Sequence, residues 1–197
     1  MLFGHKLHQL ALAGDHIGQV QAREFILMRQ RIGEQTAFCE AREGESYFGL
    51  VHNAGQPYDS LAAMMAQDKA EAAMQVNFWA FTRLAKSLMR TMIRARAGRI
   101  VAIGSVAALR GNPGNAAYAA SKGGILTLTK VFARELAKAG VTVNAIAPGP
   151  MDLPTVHALV PEEKMAGLLQ MIPVGALGEA EFVAHAVALL ASQHASF

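Results

Sequence analysis

Three short apolar runs, each closed by small or turn-forming residues, restrict this chain more than anything else in it: YFGLVHNAG at 47–55, GRIVAIGS at 98–105 and VTVNAIAPGP at 141–150. Runs of this length that stop at Asn-Ala-Gly, Gly-Ser or Pro-Gly read as buried strands followed by turns. Between the first two, Ala73, Val76, Ala80, Leu84, Leu88 and Met92 recur at helical spacing, which predicts a helix over about 66–92. Between the last two, AAYAASKGGILTLTKVFARELAKAG at 116–140 predicts one long helix with Gly140 at its carboxyl cap. Strand and helix alternating in this way predict an α/β fold, a doubly wound parallel sheet with helices on both faces. Ligands of such sheets bind beyond the carboxyl ends of the strands, where HNAG, GSVA and APGP all fall.

The chain can bury the core this requires, because 197 residues with 52% hydrophobic and 17% charged side chains suit one globular domain over 1–197. A formal net charge of +3 is spread thinly, apart from Arg90, Arg94, Arg96 and Arg99. No basic stripe interleaved with aromatics appears, which argues against nucleic acid as a partner. A single cysteine, Cys39, excludes an internal disulfide and leaves no thiolate cluster for zinc, so no metal is expected and a reducing, cytoplasmic setting fits. No stretch reaches the roughly 18 consecutive apolar residues of a membrane span. Toward the carboxyl end, a Met- and Leu-rich helix near 161–171 reads as a lid over a pocket, and 179–192 reads as a packing helix. FILMRQRIGEQ at 25–35 reads as part of a helix preceding the first strand.

Chemistry concentrates at Tyr118 and Lys122, four residues apart and so on one face of the 116–140 helix. A phenol with an ordinary pKa of about 10 exchanges a proton at neutral pH only when something stabilises its anion, and an ammonium does so. The spacing alone is common by chance. Ser105, at the end of the second run, offers a hydroxyl to a carbonyl oxygen or else caps the next turn. Asn77 stands in an otherwise apolar helix, where a carboxamide is disfavoured unless it has a task, either at the site or as a bond to backbone.

HNAG at 52–55, Asn77, IGSV with Ser105, Tyr118 with Lys122, and VNAIAPGP resemble, in order and spacing, the short-chain dehydrogenase/reductase family, with the nearest similarity to 3-oxoacyl-[acyl-carrier-protein] reductases. The resemblance runs from about Gly44 to Ser192 and implies a Rossmann-like fold. It implies that Tyr118 protonates a ketone oxygen as hydride arrives from a nicotinamide, that Ser105 polarises the carbonyl, and that Lys122 bonds the nicotinamide ribose and lowers the tyrosine pKa. Asn77 would hold a water linking Lys122 to solvent. The cofactor implied is NADPH, with NADH possible, beside Asn53, Ala54 and Gly55 at its adenosine ribose and Pro148, Gly149 and Met151 at its nicotinamide. Thr155 is displaced from where the family often carries a threonine, so a hydroxyl contact there is not expected.

The family's glycine-rich first turn has no counterpart here, since only Gly33 stands near the look-alike at 25–35. The expectation is therefore a sheet lacking its first strand-helix unit and its last strand, with LHQLALAGD at 7–15 serving as a strand whose Asp15 faces the adenine. The resemblance implies a ketone substrate, foremost a 3-oxoacyl thioester on acyl carrier protein, whose acidic surface would dock at the Arg90 to Arg99 cluster. It also implies a homodimer or homotetramer through the Asn77 and Tyr118 helices. The alternatives are a non-catalytic subunit of an active homologue and a sugar or steroid alcohol dehydrogenase of the same family.

Overall fold

The computed structural model describes residues 25–30, 37–39 and 47–196. Five strands, β1 Phe25–Gln30, β2 Ala37–Cys39, β3 Gly49–His52, β4 Gly98–Ile103 and β5 Val141–Ile146, form one sheet in the order β2-β1-β3-β4-β5. All neighbours are parallel except the short edge pair β1 and β2, a common arrangement at the margin of such sheets. Leu50 pairs with Ile100, and Ile103 with Ile146. That register brings the turns after β3, β4 and β5 to one end of the sheet.

The three expected strands and the two crossover helices are where the periodicity places them. The residues at 25–30 are a correction: they form β1, beside β3, and not part of a helix. A four-residue apolar run has too few positions to separate a buried strand from one turn of a buried helix, and pairing along β3 decides it. Asp15 and the 7–15 stretch lie outside the described residues.

Both crossovers lie on one face. The first comprises α1 Gln67–Met74, a π-helical turn Gln75–Trp79 and α2 Ala80–Ala95; the second is α4 Ala116–Leu136, preceded by the single turn α3 Ala107–Arg110. Phe81, Leu88, Met92, Ile125 and Leu136 from these helices pack on Leu50, Ile100 and Val143. On the other face α7 Ala180–Ala191 lays Val183, Val187 and Ala191 against Val51, Val101 and Ile103. Every residue of β3 and β4 is consequently buried. α5 Pro154–Leu159 and α6 Glu162–Gln170 bury no residue at all. Their arm is closed at its base, where Gly178 bonds the Pro150 carbonyl and accepts from the Asp152 amide. Among the described residues no helix is long and apolar enough to cross a membrane.

Candidate active site

The π turn carries Asn77, which has no exposed surface. Its Oδ1 accepts from the Gln56 backbone amide at 2.6 Å, and its Nδ2 donates to the Gln56 carbonyl at 3.0 Å and to Ser121 Oγ at 2.9 Å. Ser121 passes its own proton to the Tyr118 carbonyl at 2.7 Å. Both Nδ2 hydrogens are thus engaged, and the carboxamide clamps the loop after β3. Burial is the reason, because an amide cut off from solvent has to satisfy itself within the protein.

Lys122 follows Ser121 into the core with 3% of its surface exposed, and its Nζ donates to the Ile103 carbonyl at 2.8 Å. Gly55 stands over it: a Cβ there would come 3.1 Å from Nζ. Burial lowers the Lys122 pKa to about 8. Tyr118 is shifted in the opposite sense to the sequence expectation. Burial raises its pKa above the usual phenol value, a hydrogen bond with the Ser105 side chain opposes the rise, and the Asp59 charge adds to it. The ammonium does not reverse this, because Nζ is tied to Ile103 and lies 5.9 Å from the phenol ring centroid.

Ser105 caps the turn that follows it. Its hydroxyl accepts from the Ala107 amide at 3.2 Å, holding the first turn of α3, while facing Tyr118. The loops after β4 and β5 are locked together by Gly104 N to Ile146 O at 2.7 Å and Val106 N to Pro148 O at 3.0 Å. A Cβ at Gly104 would come 2.7 Å from the Leu126 side chain of α4 and 3.3 Å from the Ile146 carbonyl, so glycine keeps the strand end close to both.

Asn53 and Gly55 are half-buried and Ala54 is buried as the chain leaves β3, while Pro148 and Gly149 leave β5 at the same end of the sheet, with open space where a Gly149 side chain would be. Met151 instead packs its sulfur against Gly178 and the cluster under α7. The buried ammonium, the paired hydroxyls and the two small-residue loops suit the sugar and ring of a nicotinamide nucleotide. The described residues include no glycine-rich turn at a helix N-terminus for its diphosphate. The arginine cluster is not at this mouth. Arg99 is buried, its guanidinium 5.3 Å from the Phe48 ring and its Nε bonded to Ser192 O at 3.0 Å. Arg90, Arg94 and Arg96 are exposed at the start of β4, the length of the strand, about 20 Å, from Ser105 in the same chain.

Several residues of the site were not singled out from sequence. Ser121 stands three positions after Tyr118, and Gln56 contributes through its backbone, which no side-chain pattern reports. His52 is fully buried with neither ring nitrogen hydrogen-bonded, 5.2 Å from Phe81. Burial first, then the Lys122 charge, pulls its pKa down to about 3, against a weak opposing effect of the Val76 backbone, which lies beside the ring without closing a hydrogen bond. Its one sequence signal was a polar residue ending an apolar run.

A family model described as enoyl-(acyl carrier protein) reductase matches residues 36–197, and the chain belongs to the short-chain dehydrogenase/reductase family. Over 148 residues it is 43% identical to the 3-oxoacyl-[acyl-carrier-protein] reductase FabG of Salmonella typhimurium and 42% identical to that of Escherichia coli, matches that cover 75% of this chain and 60% of each relative. Its structure resembles the crystal structure of 3-oxoacyl-[acyl-carrier protein] reductase from Brucella melitensis with a TM-score of 0.74 and 32% identity, covering 78% of this chain and 59% of that one. The chain thus spans about 60% of the length of the curated relatives it matches.

Proposed function

We propose that this chain, folded as one domain, carries the reducing site of a 3-oxoacyl thioester reductase that uses NADPH. The observation that carries the reading is the convergence at one strand end of two facing hydroxyls, Ser105 and Tyr118, above a buried lysine that a clamped loop keeps in place. Similarity to the FabG reductases supports the substrate class, with acyl carrier protein as the acyl donor's scaffold and a homodimer or homotetramer in the reducing cytoplasm as the working form.

A ketone oxygen seated between the two hydroxyls is polarised by Ser105 and receives its proton from Tyr118. The nicotinamide, when bound, supplies the hydride. Burial favours the neutral phenol, which is the form a reductase needs in its acid, so Tyr118 is loaded for donation at neutral pH. Lys122 and Tyr118 would hold the nicotinamide ribose, the small residues 53–55 the adenosine side, and the backbone at 148–151 the carboxamide. Met151 contributes there through its backbone, since its side chain faces α7.

The lack of a glycine-rich diphosphate turn among the described residues favours a second reading, a non-catalytic subunit paired with an active homologue. Titration of NADPH against Trp79 fluorescence, with turnover of an acetoacetyl thioester, separates them. Trp79 is half-exposed and stacks edge-on to Phe78, which itself packs on Gly124 of α4. Saturable quenching with turnover supports the reductase; no quenching at millimolar NADPH and no turnover overturns it.

A further inference from the structure

Asp59 and Asn115 join two loops that the chemistry described so far does not use. The Asp59 carboxylate accepts from Asn115 Nδ2. One residue on, the Ser60 amide donates to the Gly114 carbonyl at 2.7 Å, and Ser60 forms a parallel bridge with Asn115. Asn115 is the residue immediately before α4, a position at which an asparagine ordinarily turns its side chain onto the first amides of the helix, worth about 1 kcal/mol. Here it makes no such cap, and its side chain is held by Asp59 instead. Tyr118 stands on the first turn of the helix so fixed. Upstream, the same segment is anchored twice more, at Gln56 by Asn77 and at Tyr58, whose phenol accepts from the Ala66 amide at 2.8 Å.

We propose that Asp59 is a positioning residue for Tyr118: with Asn115 it fixes the start of α4 against the loop leaving β3, and so the place of the phenol on the first turn of that helix. The inference rests on the reading of Tyr118 as proton donor. The groups that act on the phenol are Ser105 from the end of β4, which is neutral, Lys122 from its own helix, with Nζ 5.9 Å from the ring centroid, and Asp59 from the loop after β3. Asp59 disfavours the phenolate and so acts with burial and against Ser105.

Three variants separate the tether from the charge. Asp59→Asn keeps a side chain that can accept from Asn115 and removes the charge; Asp59→Ala and Asn115→Ala remove the tether. The phenolate of Tyr118 is titrated by ultraviolet difference absorbance against Tyr118→Phe in each background, in the protein alone, and kcat and KM for an acetoacetyl thioester are measured across pH. Asp59→Asn is expected to move the Tyr118 titration, and the alkaline limb of kcat/KM, about half a pH unit lower. The two alanine variants are each expected to lower kcat about tenfold, with the double variant no worse than either, the mark of residues acting as one unit. A Tyr118 titration unmoved in Asp59→Asn, or losses that multiply in the double variant, overturns the inference. The titration needs no turnover, so an inactive wild type with a displaced titration overturns the reductase reading and leaves the coupling of Asp59 to Tyr118 supported.

Discussion

α4 and the arm carrying α5 and α6 are held in opposite ways. α4 buries Ala117, Ser121, Lys122, Ile125, Thr129 and Leu136; Ser121 is bonded to Asn77 and the Tyr118 carbonyl, and Lys122 to the Ile103 carbonyl. The arm buries nothing and is fastened mainly where Gly178 meets Pro150 and Asp152. Polar groups meant to act at a fixed point are placed where no water competes and no neighbour can yield. An arm that buries no residue belongs to the low-stability side of the molecule.

The comparison breaks first if the buried side proves dispensable. Tyr118→Phe should lower kcat by about 10²–10⁴-fold while melting at the wild-type temperature, read by steady-state kinetics and calorimetry. Asn77→Ala should destabilise the fold by about 2–4 kcal/mol in urea titration, since the Gln56 amide and carbonyl lose their partner together. A loss below about 1 kcal/mol would mean that water replaces the clamp.

His52 sharpens the contrast through pH. Its folded pKa of about 3 lies below the ordinary 6.5, so protons favour the unfolded chain. Its contribution is present above pH 6.5 and is lost as pH falls toward 3, at about 1.4 kcal/mol per pH unit once below 6.5. His52→Asn should flatten that slope, measured as unfolding free energy between pH 4 and 7. The smallest effect belongs to the arm: Met171→Ser, at a residue 62% exposed, should change stability by less than about 0.5 kcal/mol. Amides of α6 should meanwhile exchange with deuterium well before those of α4.

What the sequence disclosed follows the same division. Regular periodicity over many residues identified α4 and the first crossover, and apolar runs ended by turn residues identified β3, β4 and β5. β1 was misread because its apolar run is shorter than the distance over which helix and strand diverge. The hydroxyls and the lysine were legible as side chains of known reactivity at fixed spacing. Their actual partners were not: Asn77 grips the backbone of Gln56, Lys122 bonds the carbonyl of Ile103, and a carbonyl is present at every position alike. The direction of the Tyr118 shift was also hidden, since burial and the tether of Lys122 both depend on packing. The arginines illustrate how a strand carries direction, because residues just before β4 and just after it lie at opposite ends of the sheet.

The turn at Gln75–Trp79 closes over one residue more than an α-helix uses, which sets everything after it about 100° out of phase with the helix before. Deleting a single residue there would restore an unbroken helix and swing either the buried Ala70 and Ala73 or Phe81 and Leu88 out of their packed positions. Chains of this kind therefore tolerate changes of length in their surface arms but not at this one point inside a helix, where a miscount of one would turn the carboxamide of Asn77 away from the loop it grips.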